Sequence, residues 1–270
     1  MPFIDCEGVR VYWREDGRPQ APALVLANSL GSDTSLWDGV MPVLSRQYRV
    51  IRLDLPGHGA SGLSGARRAW TVADLAQHVS QAADAAGAQT FAFVGVSVGG
   101  MIGLWLAAHG QRVRRLVVSN TSAGVEAGTW NERIRIAREQ GLGPLVDGTM
   151  QRWFDPAYLA RDPVEVATIR THFLQVDPQG YIGCSEAIRD VALAPEALGR
   201  VRAPTLVIAG AHDAAMPPRL GQAIAQAVPG ARYAELPVAH IPHIADPAPF
   251  LDLVLEHLRH DRAANPPSAA

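Results

Sequence analysis

Thr90-Phe91-Ala92-Phe93-Val94-Gly95-Val96-Ser97-Val98-Gly99-Gly100 is the stretch that decides the fold. Thr90 to Val94 is a short apolar run, as expected of a strand buried on both faces. It leads directly into a Gly-x-Ser-x-Gly element at Gly95, Ser97 and Gly99, and a helical pattern follows to about His109. The tripartite element alone is a weak signal, because glycine and serine are common. Its position between a buried strand and a helix gives it content. The turn at Ser97 must be sharp, so the flanking positions must be small for strand and helix to approach each other. Such a turn lifts the serine hydroxyl above the C-terminal edge of the sheet. It also aims the Val98 N–H at a carbonyl oxygen, near a helix N-terminus that favours negative charge. The bland alternative is a plain strand-to-helix turn with an inert serine.

Strands and helices alternate outward from this stretch. Val9 to Trp13 and Ala23 to Ala27 read as strands, separated by the turn residues Asp16-Gly17-Arg18-Pro19. A helix is predicted from about Leu36 to Ser45, a strand over Tyr48 to Leu53, and a loop at Pro56-Gly57-His58-Gly59. Thr71 to Ala86 is a helical pattern with Thr71 as N-cap and Asp74 three residues on, a variant of the capping box, and Gly87 as its stop. Val113 to Ser119 is a further strand. Then the rhythm breaks. From Thr121 to about Gly199 no convincing apolar strand occurs, and short helices are predicted over Trp130 to Gln140, Leu142 to Phe154, Pro163 to Leu174 and Tyr181 to Arg189. The alternation resumes with a strand over Pro204 to Ala209, a helix over Pro218 to Ala227, a strand over Ala231 to Leu236 and a helix over Ala248 to Arg259. The prediction is an α/β chain: a mostly parallel central sheet flanked by helices, one domain over residues 1–270. A helical cap is inserted within it at residues 122–199. The last residues, 263–270, are small and proline-containing and read as a frayed tail. No internal repeat is visible.

Composition removes whole classes of chemistry. The chain has 270 residues, a net charge of −2 and 24 basic side chains, all of them arginine. Without lysine there is no Schiff-base catalysis. The lysine of a phosphate-binding P-loop is absent, as is the phosphate-pairing lysine of a protein kinase. The near-neutral charge argues against a nucleic-acid surface. The local cluster Arg112, Arg114 and Arg115 reads as a solvated helix end. Two distant cysteines, Cys6 and Cys184, make no disulfide framework and no C-x-x-C motif, so two free thiols in a reducing cytosol are expected. Met1 to Asp5 shows no basic region followed by an apolar run, and no apolar stretch approaches the ~20 residues of a membrane span. No membrane contact and a cytoplasmic location are expected. The histidines lack a H-E-x-x-H-type spacing, and no nucleotide fingerprint follows the first buried strand. No metal and no cofactor are predicted.

A serine needs a base to take its proton and an acid to orient that base. In a fold of this kind the order along the chain is serine, acid, histidine. Downstream, Gly210-Ala211-His212-Asp213 ends a predicted strand, and Val238-Ala239-His240 follows the last one. Ser97, Asp213 and His240 therefore all fall at C-terminal strand ends, the edge where α/β sheets place their sites. His243, three residues past His240, reads as a pocket wall or a supporting residue. His212 reads as a turn residue, and His58 as a support for the site's loops. An oxyanion hole needs two donors. One is the Val98 N–H; the other is expected from the loop Asn28-Ser29-Leu30-Gly31, at the Leu30 N–H.

These residues resemble the α/β-hydrolase superfamily over nearly the whole chain. Within it, the chain is similar to the 3-oxoadipate enol-lactonases. The likeness rests on Asn28 to Gly31 with Trp37-Asp38, Gly57-His58-Gly59-Ala60-Ser61, Gly95 to Met101 and Ser119 to Ala123. It continues through Thr129-Trp130-Asn131-Glu132-Arg133-Ile134, Arg152-Trp153-Phe154, Gly180-Tyr181, Ala187 to Asp190 and Ile208 to Asp213. The sequence departs from that family at Ile241-Pro242-His243, where a Ser-Asn-like pair is expected, and at Asp54-Leu55-Pro56-Gly57, where Arg-Gly is usual. Both departures are expected at or near the pocket. The resemblance implies hydrolysis of an enol-lactone to 3-oxoadipate, in aromatic catabolism, by acyl transfer through Ser97, His240 and Asp213. Such a lactone carries a free carboxylate. With no lysine, an arginine is the only permanent cation that can meet it. Arg133 is the candidate, and Trp130 and Trp153 are candidate pocket walls. Competing readings are a carboxylesterase or other lactonase, a carbon–carbon bond hydrolase, a cofactor-free oxygenase or perhydrolase, and a non-catalytic ligand receptor on this fold.

Overall fold

The computed structural model describes residues 2–63, 69–161 and 163–259. The expected frayed tail at 263–270 lies outside them. Eight strands form one sheet: β1 (Phe3–Cys6), β2 (Val9–Asp16), β3 (Ala23–Ala27), β4 (Arg49–Leu53), β5 (Phe91–Val96), β6 (Val113–Ser119), β7 (Thr205–Gly210) and β8 (Arg232–Leu236). Their spatial order is β1-β2-β4-β3-β5-β6-β7-β8. The pairs β1–β2 and β2–β4 are antiparallel, and the remainder of the sheet is parallel. Every residue of β5 and β7 is buried, as continuous apolar strands between two helical layers must be. From β3 the chain moves outward to β4, then returns to β5 on the other side. Strand order therefore reverses between β3 and β5, which opens a crevice at their C-terminal ends. Leu30 follows β3 and Ser97 follows β5, so the topology alone brings their two loops to the same crevice.

The helices are α1 (Met41–Leu44), α2 (Val72–Ala85), α3 (Val98–His109), α4 (Ala127–Gln140), α5 (Gly143–Trp153), α6 (Pro156–Leu159), α7 (Val164–Gln175), α8 (Pro178–Arg189), α9 (Pro195–Leu198), α10 (Pro218–Ala227), α11 (Pro242–Ala245) and α12 (Pro247–Arg259). The predicted helix over Leu36 to Ser45 is replaced by a 3-10 helix at Thr34–Val40 followed by the single turn α1. Its start is pulled back by Asp33, whose carboxylate accepts the Ser35 N–H at 2.8 Å. The sequence reading lacks β1, a four-residue strand, and the one-turn helices α6, α9 and α11. Each is too short to show a hydrophobic period. The β1–β2 hairpin turns at Glu7 and Gly8, both at positive φ, and the Asp5 carboxylate accepts the Gly8 N–H.

Between β6 and β7 the described chain is helical, from α4 to α9. The two ends of this segment meet: Gly124 and Ala192 form an antiparallel bridge, and the Leu193 N–H donates to the Ala123 carbonyl at 2.8 Å. In between, α4 packs along α8. No helix among the described residues is long and apolar enough to cross a membrane.

Arg52 shows what the arginine-only composition does in the core. Its side chain is 1% exposed, yet it meets Asp16 at 2.7 Å and Asp38 at 2.6 Å and donates to the Thr34 carbonyl at 2.8 Å. A planar fork that reaches three acceptors at once suits this position better than an ammonium point charge.

The capping box of α2 forms as its sequence indicates: the Asp74 N–H donates to the Thr71 hydroxyl oxygen, and the Thr71 N–H donates to the Asp74 carboxylate at 2.8 Å. Thr71→Ala should lower stability by about 1 kcal/mol in a urea titration, with the m-value unchanged. No measurable loss would mean that the cap does not anchor this helix.

Candidate active site

Ser97 sits on the tight connection from β5 to α3 with φ 58° and ψ −121°. A non-glycine residue there occupies a sparsely populated region, at a cost on the order of 1–3 kcal/mol. The surroundings hold it. Its N–H donates to the Ser119 carbonyl at 3.0 Å, and its carbonyl accepts the Thr121 hydroxyl at 2.6 Å. The Gly99 N–H donates to the Asn28 carbonyl at 3.2 Å. The glycines are required by contact. A Cβ on Gly95 would lie 2.3 Å from the Gly99 carbonyl oxygen, and one on Gly99 would lie 2.2 Å from the Ala27 carbonyl oxygen.

His240 follows β8 and Asp213 follows β7, as the sequence places them. The His240 Nδ1 is 2.7 Å from the Asp213 Oδ2, with both side chains almost fully buried. The other donors to that carboxylate are identified by their chemistry. The Ala215 and Met216 N–H groups donate to Oδ1 at 2.8 and 2.9 Å, and the Asn120 amide donates to Oδ2 at 2.8 Å. An acid bounded by donors sets the imidazole with its Nδ1–H toward Asp213, which leaves Nε2 as the acceptor. The His240 N–H donates to the Trp153 carbonyl at 3.1 Å, which ties the loop after β8 to the end of α5.

Ser97 and His240 line one cavity of about 710 Å³, together with Ser29 and Leu30 from the loop after β3. Neither the Leu30 nor the Val98 N–H donates a hydrogen bond to the described residues. Val98 itself is buried and is not a wall residue; its N–H is the first of α3. Trp130, Arg133 and Trp153 all line the cavity. Arg133 reaches back to the Tyr181 hydroxyl, which it contacts through Nε at 3.1 Å, and its guanidinium lies 5.6 Å from the centre of the Trp130 ring.

The sequence reading missed a second cation in this wall. Arg152 also lines the cavity, and both guanidinium groups donate to the Thr149 hydroxyl, Arg133 at 3.3 Å and Arg152 at 3.2 Å. Neither has a carboxylate partner among the described residues. Burial, and then the neighbouring Arg133, push Arg152 down to about 10. Arg133 lies on α4 and Arg152 on α5, so no sequence pattern links them. Asn120 was also missed as a contributor to the site, because an asparagine after a strand carries no signal of its own.

At the two departures from the enol-lactonase pattern the residues are not themselves cavity walls, although Ile241 directly follows the wall residue His240. Neither Asp54 nor any of Ile241, Pro242 and His243 lines the cavity. Asp54 organises loops: its carboxylate accepts the Thr34 N–H at 2.7 Å and the Ala60 N–H at 2.9 Å, and burial pushes it up to about 6. His243 is buried with its ring stacked on Trp37 at 4.0 Å. His58 is buried with its Nδ1 2.9 Å from the Pro56 carbonyl. His212 is an exposed turn residue whose Nδ1 lies 2.9 Å from Asp155.

Burial pushes His243 down to about 3 and His58 down to about 4. Both therefore bind fewer protons folded than unfolded, so stability should be full above pH ~6.5 and fall as the pH drops toward 4. His243→Phe, which keeps an aromatic ring on Trp37, should flatten that slope in denaturation curves taken across this range. An unchanged slope would show that His243 does not contribute to it.

The family model described as alpha/beta hydrolase fold matches residues 22–247. The chain is 32% identical over 249 residues to 3-oxoadipate enol-lactonase 2 of Acinetobacter baylyi, covering 92% of each chain. Among solved structures, it is similar to the enol-lactonase from Burkholderia xenovorans, with a TM-score of 0.92 at 36% identity over 96% of this chain and 100% of that one. A hydrolase from Pseudomonas aeruginosa matches with a TM-score of 0.91 at 36% identity, over 95% of this chain and 97% of that one.

Proposed function

This chain belongs to the α/β-hydrolase family, and from that premise we propose that it is a serine hydrolase that opens 3-oxoadipate enol-lactone to 3-oxoadipate. The observation that carries the reading is the shared cavity: Ser97 on its strained turn and His240 on Asp213 face the same space as Leu30. In this reading the helical segment 122–199 is a cap over the site.

His240 Nε2 takes the Ser97 proton as Oγ attacks the lactone carbonyl. The tetrahedral oxyanion is received by the Leu30 and Val98 N–H groups, which donate to no acceptor among the described residues. The carbonyl–oxygen bond of the ring then breaks. The enol oxygen leaves with the proton held by His240, and the enol tautomerises to a ketone. An enol is a better leaving group than a simple alkoxide, which makes acylation the easier half. A water activated by His240 attacks the acyl-enzyme, and Ser97 leaves with its proton restored. No step calls for a metal or an organic cofactor.

The wall formed by Arg133, Arg152 and Thr149 supports the choice of an acidic substrate. Two cations share one hydroxyl and have no carboxylate partner among the described residues, an arrangement that a ligand carboxylate would complete. Glu126 is the acidic residue among the described cavity walls, and it is exposed. A second reading has support from the cavity's size. About 710 Å³ is in the range of sites for drug-sized ligands, and a six-carbon lactone fills little of that. A carboxylesterase acting on larger acidic esters fits this volume.

Turnover of the enol-lactone, an acidic half-ester and a neutral aryl ester should be compared in wild type, Ser97→Ala, Arg133→Ala and Arg152→Ala. Ser97→Ala is expected to abolish all three. Each arginine variant should lower kcat/KM about 10- to 100-fold for the acidic substrates, the worth of a hydrogen bond to a charged group, and leave the neutral ester unchanged. Fast cleavage of esters with no lactone turnover would select the second reading. Modification of Ser97 without product release would point to a ligand receptor.

A further inference from the structure

Asn120 is the first residue after β6, and it has a left-handed backbone at φ 50°. Few side chains adopt that conformation readily, and asparagine is among them. The same residue makes contacts to three strand ends. Its N–H donates to the Ile208 carbonyl in β7 at 2.9 Å. Its side-chain amide donates to the Asp213 Oδ2 at 2.8 Å, in the loop after β7, and to the Ala239 carbonyl at 3.0 Å, in the loop after β8. Its Oδ1 accepts the Ser119 hydroxyl at 2.7 Å.

The orientation of this amide is determined by its neighbours. The Ala239 carbonyl can only accept, so the atom facing it must be the NH₂ group. The same NH₂ then faces Asp213, and Oδ1 is left for the serine. Room for the arrangement is made at the end of β7. A Cβ on Gly210 would lie 2.1 Å from the Ala239 carbonyl oxygen and 2.8 Å from the Asn120 Nδ2. A glycine is therefore needed where the amide and the loop after β8 converge.

We propose that Asn120 is a positioning residue that fixes the separation and orientation of Asp213 and His240 by holding the acid and the peptide carbonyl just before the base with one NH₂ group. This rests on the serine-hydrolase reading above. Asn120 does not line the cavity, so it acts through Asp213 and the backbone at His240 and touches no substrate. Hydrogen bonds from the Ala215 and Met216 N–H groups fix Oδ1 only. Without Asn120, Oδ2 would keep His240 as its remaining described partner, and the Ala239 carbonyl would lose its donor. The imidazole would then gain freedom to swing relative to Ser97.

The test uses two variants that tolerate positive φ: Asn120→Gly, which deletes the amide, and Asn120→Asp, which is isosteric and removes both donors. The readouts are kcat and KM for p-nitrophenyl acetate, the rate at which a fluorophosphonate modifies Ser97, and Tm. For a misplacement on the order of 1 Å, kcat and the phosphonylation rate should each fall about 10²-fold, while KM is unchanged. The isosteric variant supplies the answer if Asn120→Gly does not fold. An unchanged kcat in a folded variant, or a rise in KM that accounts for the whole effect, would overturn the proposal. Wild type that is not phosphonylated, or full esterase activity in Ser97→Ala, would instead bring down the serine-hydrolase reading and this inference with it.

Discussion

Everything at the candidate site depends on the close approach of the β5–α3 turn to the end of β3. Gly99 sits so near the Ala27 carbonyl that no side chain fits, and its N–H binds the Asn28 carbonyl. That contact fixes where α3 begins, and so where Ser97 and the Val98 N–H point. It also brings the loop carrying Leu30 beside them. The strain at Ser97 persists because partners at and just beyond the end of β6 hold the residue from the other side, through the Ser119 carbonyl and the Thr121 hydroxyl. Strain at a single residue is sustainable when the surrounding structure over-determines it.

A second layer of the design runs across the sheet. The ends of β6, β7 and β8 are adjacent in space although 86 residues of sequence numbering separate Ser119 from Thr205. The helical segment leaves after β6 and returns before β7, and its two ends bridge at Gly124 and Ala192. This closure lets a long excursion be inserted without disturbing the β6–β7 pairing. It also explains how α4 and α5 can contribute Trp130, Arg133, Arg152 and Trp153 to a cavity whose wall also includes Ser29, Leu30, Ser97 and His240 from the loops after strands.

Charge is handled by arginine alone, in two opposite ways. Arg52 is buried with acidic partners and serves the fold. Arg133 and Arg152 face the cavity with a shared hydroxyl and no carboxylate partner among the described residues, a state that costs stability through mutual repulsion and desolvation. Paired like charges kept at a cavity wall are the kind of local sacrifice that binding sites show.

How much of this was legible in the sequence follows from the range of the interactions. The buried strands, the capping box at Thr71 and the Gly-x-Ser-x-Gly turn are set by residues within a few positions of one another, and local pattern was sufficient to find them. The strand-end placement of Ser97, Asp213 and His240 was also legible, because each follows a recognisable strand. The one-turn helices and β1 escaped, being shorter than any hydrophobic period. The contacts of Arg152 and Asn120, and the exclusion of Asp54 and His243 from the cavity wall, were decided only by tertiary structure. Arg152 acquires its meaning from Arg133 on another helix, and Asn120 from an acid 93 residues away. Such contacts depend on which strand ends and helices become neighbours, and that is a property of the assembled sheet rather than of any stretch of chain.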